Sequence, residues 1–242
     1  MNIEDLPKPL KDDIEDQSLE ILERISGDIV VIGGWGVRAH LGVGHRRYTL
    51  DVDGVTDNKT LGLLRDRLVG IGLDANHTEW GIQFVKRYIP CVDIPDAVKA
   101  NVEMIQLRIE ISGPRISEYS TPHYFEFSLT ETEIKEIPYH NRDGIVKVKV
   151  PPIEHMTAVK LGLPVDYKNN FDAVMLLQKS DVDKVVLAIK NNDDWGEMIL
   201  RRMPKLKGRI AQSGRLENTL AIAAGIDVRR HISILEQIEK QL

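Results

Sequence analysis

The chain has 242 residues and a formal net charge of −5, with 42% hydrophobic and 29% charged residues, as in an ordinary globular protein with a real core. The negative charge argues against a protein that coats nucleic acid non-specifically, but a local basic patch could still hold one RNA. Because the apolar runs are short and no signal-peptide pattern is present, we expect no membrane association. Cys91 is the only cysteine, so no internal disulfide can form and a reducing cytoplasm is the expected location.

The first third of the chain predicts alternating helices and strands. Apolar residues at helical spacing predict an amphipathic helix over 10–26, which ends at Gly27. A strand over 28–32, a short helix over 35–41 and a second strand over 50–56 follow. Asn58 is the expected N-cap of a helix that extends to about residue 71.

The character of the chain changes at Pro151. Before it, alternating and β-branched runs predict strands over 81–89, 106–112, 123–129 and 144–150. After it, the pattern predicts helices over 153–163, 169–179, 181–191, 194–212 and 215–241. We therefore expect a core domain over 1–150 and a helical domain over 151–242.

Two carboxylates, Asp51 and Asp53, lie two residues apart on the second predicted strand. Side chains at i and i+2 of a strand lie on the same face, with Cα atoms about 7 Å apart. Such carboxylates repel each other unless a cation lies between them. Mg²⁺ prefers oxygen ligands and leaves positions for substrate phosphates. Asp51 and Asp53 are therefore candidate ligands of Mg²⁺, or of Mn²⁺ in its place.

A glycine turn precedes this strand. The apolar run 29–32 leads into Gly33-Gly34, and glycines let backbone amides approach phosphate groups closely. Arg47 lies between the turn and the acid pair, where a guanidinium can neutralise phosphate charge, and Arg46 is a weaker candidate. The turn and the carboxylates together predict metal-dependent chemistry on a nucleoside triphosphate.

The combination of Gly33-Gly34 with Arg47-Tyr-Thr49-Leu-Asp51-Val-Asp53 resembles the signature of the DNA polymerase β-like nucleotidyltransferase superfamily. The segment Gly-Gly-Trp-Gly-Val-Arg-Ala-His-Leu-Gly is similar to that of antibiotic nucleotidyltransferases, and the later helices resemble abortive-infection-type nucleotidyltransferase toxins. The resemblance implies an α/β (α+β) core with a mixed, mainly antiparallel sheet, followed by a helical C-terminal region. It also implies transfer of a nucleoside monophosphate from a triphosphate, with Gly33, Gly34, Arg47 and Thr49 at the nucleotide.

A third carboxylate is expected on a neighbouring strand. Two-metal phosphoryl transfer needs a further acid that helps to bind metal and accepts the proton of the attacking hydroxyl. Glu110 has a suitable setting, because Ile109 and Ile111 flank it within the predicted strand 106–112. Glu103 and Asp93 are the alternatives on predicted loops or a helix.

The segment from 148 to 172 resembles the closing motifs of the toxin-like branch. There a helix presents a lysine, and a Lys-Asp-x-x-Asp segment begins the next helix. The resemblance implies that Lys160 holds the triphosphate, and Lys168 and Asp172 match by position. Asp172 would orient one of the lysines rather than bind metal. Asn169 stands where the branch usually has an acid.

Two other functions remain open. The first is a catalytically silent relative that binds a nucleotide or a partner protein. The second is a dinucleotide-dependent oxidoreductase, because Gly34-Trp-Gly36-Val-Arg-Ala39 fits the fingerprint G-x-G-x-x-A. That fingerprint needs a full crossover helix, whereas Gly42 and Gly44 allow barely two turns here. The nucleotidyltransferase hypothesis is therefore preferred.

The acceptor is not determined by these motifs. The antibiotic-like segment suggests a small hydroxylated molecule, whereas the toxin-like half suggests tRNA or a protein. The toxin-like resemblance also implies a cognate antitoxin as a partner.

Overall fold

The computed structural model describes residues 6–42, 47–117, 123–192, 194–212 and 227–242. Gly44, Arg46 and the predicted start of the last helix at 215 lie outside the described residues. The chain divides into two compact units, the first comprising 1–114 and 128–151 and the second comprising 115–127 and 152–242. Residues 115–127 thus group with the helical unit rather than with the predicted core, and the two-domain organisation stays a prediction.

Helices and strands alternate in the first part of the chain, strands follow one another from 106 to 150, and the described elements after Pro151 are helices. The helices are α1 (Lys8–Ile25), α2 (Gly33–Leu41), α3 (Asn58–Gly70), α4 (Lys99–Val102), α5 (Ile153–Gly162), α6 (Tyr167–Leu177), α7 (Val182–Lys190), α8 (Trp195–Ala211) and α9 (Val228–Gln241). The strands are β1 (Val30–Ile32), β2 (Asp51–Val55), β3 (Asp74–His77), β4 (Gly81–Arg87), β5 (Gln106–Ser112), β6 (Arg115–Ser117), β7 (Tyr124–Glu126), β8 (Glu133–Pro138) and β9 (Ile145–Val150).

The first unit is built on a seven-stranded sheet with the order β3-β4-β5-β2-β1-β9-β8. The neighbours β2 and β5 are parallel, and so are β1 and β9. The other neighbouring pairs are antiparallel. The predicted α/β class, with a mixed and mainly antiparallel sheet, is confirmed.

Alternation along the central strands separates an apolar face of the sheet from a polar one. Val52, Phe84 and Ile109 are buried, and they share one core with α1 residues such as Ile14 and Leu22. Because the side-chain period of a strand is two, the neighbours of these residues lie on the opposite face. On that face, Asp51 and Asp53 of β2 are half-buried and the residues of β5 are half-buried or exposed, whereas Val55 at the end of β2 is buried. The apolar core thus orients the acidic side chains of β2 away from it.

Local hydrogen bonding corrects the predicted start of α3. The side chain of Asp57 accepts from the backbone N–H groups of Lys59 and Thr60, so Asp57 is the N-cap. The predicted cap, Asn58, is the first residue of the helix. An aspartate at this position satisfies amide donors that have no partner within the helix.

Several polar strands were not predicted from the sequence. The strands β3, β6 and β8 lack the apolar alternation that identifies a strand, and the predicted strand 123–129 is limited to Tyr124–Glu126. The short helix α4 was also not predicted. In contrast, β5 has its predicted bounds, because Leu107, Ile109 and Ile111 alternate with exposed polar residues.

The second unit combines the helices after Pro151 with the two-stranded sheet β6–β7. Trp195 is fully buried, and its Nε1 donates to the carbonyl oxygen of Ala158 at 3.0 Å. The Phe125 ring meets the indole edge-on at 5.8 Å. A Cβ on Gly162 would lie 2.3 Å from the indole, so glycine is required there. Within the described ranges, no helix is long and apolar enough to cross a membrane.

Candidate functional site

The acidic pair lies on the polar face of β2. Asp51 and Asp53 are half-buried, whereas Val52 between them is only 1% exposed. Side chains two residues apart on a strand share one face. The two carboxylates therefore face the same side of the sheet, with Cα atoms about 7 Å apart.

Glu110 lies beside this pair on β5. The parallel register places Glu110 opposite Asp53, so both side chains belong to the same face of the sheet. Glu110 is exposed, and its Oε1 accepts a hydrogen bond from Gln83 Nε2 at 2.7 Å. The alternatives Glu103 and Asp93 lie outside the strand that pairs with β2. Of the three candidate acids, Glu110 is therefore the one that lies on a strand next to Asp51 and Asp53.

Arg108 also belongs to this polar face and was not identified from the sequence. It is exposed on β5 and lies opposite Asp51 in the parallel register. The signal was present, because Arg108 precedes Glu110 by two residues and must share its face. The structure therefore adds a cation beside the acid pair.

Gly33 is packed directly against Asp53. Its φ is +62°, in the left-handed region that favours glycine. A Cβ at this position would lie 1.9 Å from Asp53 Oδ2 and 2.6 Å from Asp53 Cγ. Glycine is required here both by the backbone conformation and by the closeness of the carboxylate to the start of α2.

Gly34 is packed against the segment that precedes β2. A Cβ on Gly34 would lie 2.6 Å from Thr49 Oγ1 and 3.0 Å from Arg47 Nη2. Both Arg47 and Thr49 are buried. The structure thus brings together the two glycines, Arg47, Thr49 and Asp53, which the sequence assigned to the nucleotide and the metal.

The acid pair fits a hard divalent cation, although no complete cage is formed. Within the described part of the chain, no three His, Cys, Asp or Glu side chains are arranged to hold a metal ion. Mg²⁺ is usually held by one or two carboxylates together with substrate phosphates, so Asp51 and Asp53 provide a suitable donor set. The bond from Gln83 occupies one lone pair of Glu110 Oε1, so Oε2 remains available for a third ligand position.

In the second unit, the predicted phosphate lysine is held in a buried ion pair. Lys160 Nζ lies 2.9 Å from Asp172 Oδ2, with the two side chains 7% and 0% exposed. Lys160 Nζ also donates to Asn169 Oδ1 at 3.3 Å. Lys168 lies one turn before Asp172 on α6 and is exposed. Of the three residues predicted in this region, Lys160 and Asp172 are therefore in contact.

The sequence matches no family model and no curated protein. Among solved structures, it is similar to a candidate nucleotidyltransferase from Helicobacter pylori, with 17% identity and a TM-score of 0.50 over 98% of this chain and 97% of that one. JHP933 from Helicobacter pylori gives 17% identity and a TM-score of 0.50, over 98% and 94% of the two chains. This chain has the nucleotidyltransferase fold. A complex of ANT(2″)-Ia with adenylyl-2″-tobramycin is less similar, with 14% identity and a TM-score of 0.46 over 72% and 94%.

The nucleotidyltransferase fold confirms the family resemblance at the level of architecture, and it opposes the dinucleotide-binding alternative. Gly34 and Gly36 both lie inside α2, which is nine residues long. The strands on either side of this helix, β1 and β2, are antiparallel. A dinucleotide-binding unit instead joins two parallel strands through a crossover helix. The match to G-x-G-x-x-A therefore lacks the two parallel strands and the crossover helix that dinucleotide binding requires.

Proposed function

We propose that this protein transfers a nucleoside monophosphate from a nucleoside triphosphate to an acceptor hydroxyl and releases pyrophosphate. One observation carries the proposal. Gly33 and Gly34 leave no room for a Cβ beside the Asp53 carboxylate, the Thr49 hydroxyl and the Arg47 guanidinium, in a chain that has the nucleotidyltransferase fold. A carboxylate pair and a cation around a glycine turn are the groups that triphosphate chemistry needs.

In the proposed reaction the acceptor oxygen bonds to the α-phosphorus. The bond from this phosphorus to the oxygen that bridges it to the β-phosphorus breaks, and pyrophosphate leaves with that oxygen. Asp51 and Asp53, with Glu110, would hold Mg²⁺ or Mn²⁺, which supplies positive charge to the phosphates. Glu110 accepts the proton of the attacking hydroxyl, since it is an exposed carboxylate on the same face as the pair.

The cations balance the charge of the triphosphate. The Arg47 guanidinium lies against Gly34, where it can compensate negative charge on the leaving pyrophosphate. Arg108 lies opposite Asp51 and presents a second guanidinium to the same face. Positive charge that is already in place needs no reorganisation during reaction. The assignment of Lys160, Lys168 and Asp172 to the nucleotide stays a prediction from the sequence resemblance.

A second candidate function is a silent relative that binds the nucleotide without turning it over. It is favoured by Asn169, which stands where the resembled branch usually has an acid. In that case the nucleotide would be bound but not turned over. The two candidates differ in one product, because only the first releases pyrophosphate.

The experiment supplies Mg²⁺ and each α-labelled nucleoside triphosphate together with total RNA, whole-cell protein or aminoglycosides. The proposal predicts that label is transferred to one of these acceptors, and that transfer is lost in Asp51→Asn/Asp53→Asn. Asp74→Asn is the matched control, because this exposed strand aspartate lies three strands away, at about 14 Å. Label transfer that survives the double substitution would contradict the mechanism. Nucleotide binding without pyrophosphate release would favour the silent relative. A cognate antitoxin rests on the sequence resemblance alone.

A further inference from the structure

A buried ion pair joins α1 to α2 near the glycine turn. Arg38 Nη1 lies 2.7 Å from Glu15 Oε2, and Arg38 Nη2 lies 2.8 Å from Glu15 Oε1. The Glu15 side chain is 0% exposed and that of Arg38 is 9% exposed. A two-point guanidinium–carboxylate contact fixes the orientation of both groups. Further hydrogen bonds to the remaining donors and acceptors stabilise such a pair in a core, although the buried Arg38 Nε has no hydrogen-bond partner among the described residues.

Two further hydrogen bonds of the pair go to the segment 47–49, and Glu15 Oε2 also lies 2.8 Å from His140 Nε2. Arg38 Nη2 donates to the backbone carbonyl of Arg47 at 2.7 Å. The backbone N–H of Thr49 donates to Glu15 Oε1 at 2.8 Å. This segment belongs to no helix or strand, so no ladder of backbone bonds determines its path. The ion pair supplies two bonds in place of that ladder.

The side chain of Tyr48, which lies between Arg47 and Thr49 in the sequence, is held by residues of α1. Its hydroxyl donates to Asp12 Oδ1 at 3.1 Å, and Lys11 Nζ lies 4.6 Å from the centre of its ring. Burial, and then the negative charge of Asp12, raise the pKa of Tyr48 to about 12. The phenol is therefore a neutral donor at physiological pH. Each of three consecutive residues, 47 to 49, is thus bonded to a side chain of α1 or α2.

The opposite side of this segment faces the proposed site. Gly34 lies against Thr49 Oγ1 and the Arg47 guanidinium, and Arg38 follows Gly34 by one turn of α2. One helix therefore supplies both the glycine that these side chains contact and the guanidinium that holds their backbone. We infer that Glu15 and Arg38 are positioning residues, which hold Arg47 and Thr49 in the geometry needed for the triphosphate. The expected effect on nucleotide binding rests on the proposed function, whereas the role of the ion pair in fixing the segment 47–49 does not.

Glu15→Gln is the most informative variant. The substitution keeps the shape of the side chain, but it removes the charge and turns one acceptor into a donor that faces Arg38 or Thr49. Arg38→Lys is the second variant, because one ammonium cannot reproduce the fork that bonds Glu15 and the Arg47 carbonyl. Asp13→Asn is the matched control. Asp13 is a buried acid on the same helix, but it accepts from the backbone N–H of Cys91 at 3.0 Å.

Two measurements are made on the full chain. Hydrogen exchange reports the amides of residues 47–50, and titration with ATP, GTP, CTP and UTP in Mg²⁺ reports nucleotide binding. Glu15→Gln and Arg38→Lys are expected to speed exchange of the Thr49 amide and to weaken nucleotide binding by about tenfold. Asp13→Asn is expected to lower the free energy of unfolding while it leaves both measurements as in the wild type.

The outcomes separate this inference from the proposed function. If the wild type binds none of the four nucleotides, the proposed function fails while the exchange measurement still tests the holding of the segment. If all three variants change exchange and binding alike, or none does, the positioning role is wrong. If the variants do not fold, hydrogen exchange in the wild type tests the positioning role instead. The Thr49 amide must then exchange as slowly as the core of α1, and fast exchange would overturn the inference.

Discussion

Substitution of Gly33 by alanine tests the contact between the glycine turn and the acid pair. The new Cβ would lie 1.9 Å from Asp53 Oδ2, whereas real Cβ contacts essentially never fall below 3.0 Å. The carboxylate, or the start of α2, must therefore move by roughly 1 Å, a displacement that costs about a hundredfold in activity when reacting groups are involved. The positive φ of +62° adds about 1–2 kcal/mol of destabilisation.

Alanine substitutions at three other glycines separate the effect of backbone strain from the effect of steric collision. Gly72 has a φ of +88° and open space around it, so Gly72→Ala should lose stability without loss of function. Gly34→Ala meets Thr49 Oγ1 at 2.6 Å without a positive φ, so it should impair function with less strain. Gly62→Ala has neither problem, and inside α3 it should stabilise the protein by about 0.5–1 kcal/mol.

The assay compares the free energy of unfolding with nucleotide binding and pyrophosphate release for the four variants. Gly33→Ala and Gly34→Ala should lose function beyond their loss of stability, while Gly72→Ala should lose stability only. Equal functional loss in Gly33→Ala and Gly72→Ala would contradict this expectation. It would mean that backbone strain, rather than the position of the carboxylate, explains the need for glycine.

Three further predictions follow from the charged groups. Arg108→Ala should weaken binding of Mg²⁺–nucleotide by about fivefold at low salt and less at high salt, with little change in unfolding, because this guanidinium is exposed. Asp172→Asn should lower the free energy of unfolding by about 3–5 kcal/mol, since it leaves the buried Lys160 charge without its partner, and denaturant titration measures this. The hydrogen bond to Glu15 raises the pKa of His140. Stability should therefore be greatest below the unfolded-state pKa of about 6.5 and should fall as pH rises through the folded-state value. His140→Gln should flatten that dependence in unfolding curves from pH 5 to 9.

The sequence was sufficient to predict the central strands because their apolar alternation is a local signal. It could not reveal β3 or β8, whose residues pair as polar edges of the sheet. Their strand character comes from backbone bonds to β4 and β9. The assignment of residues 115–127 to the helical unit depends on contacts such as that of Phe125 with Trp195, which no spacing reveals.

Within the candidate site, the residues nearest the glycine turn were predictable, whereas those that hold them were not. Asp51, Gly33 and Gly34 belong to a recognisable local pattern. Glu15 and Arg38 do not, because acids on an amphipathic helix are ordinarily assigned to its solvated face. Here that assignment is wrong, since the Glu15 side chain is 0% exposed. Only the three-dimensional structure shows that this polar face is covered by other segments of the chain.

The proposed nucleotidyl transfer depends on Asp51 and Asp53. The most direct measurement is the rate of Mg²⁺-dependent pyrophosphate release, from each nucleoside triphosphate with the acceptor pools, for the wild type, Asp51→Asn/Asp53→Asn and Asp74→Asn. We expect release by the wild type and by Asp74→Asn, and a loss of about a thousandfold or more in the double variant. Release that continues in the double variant, or that is independent of added divalent cation, would contradict the proposed role of Asp51 and Asp53.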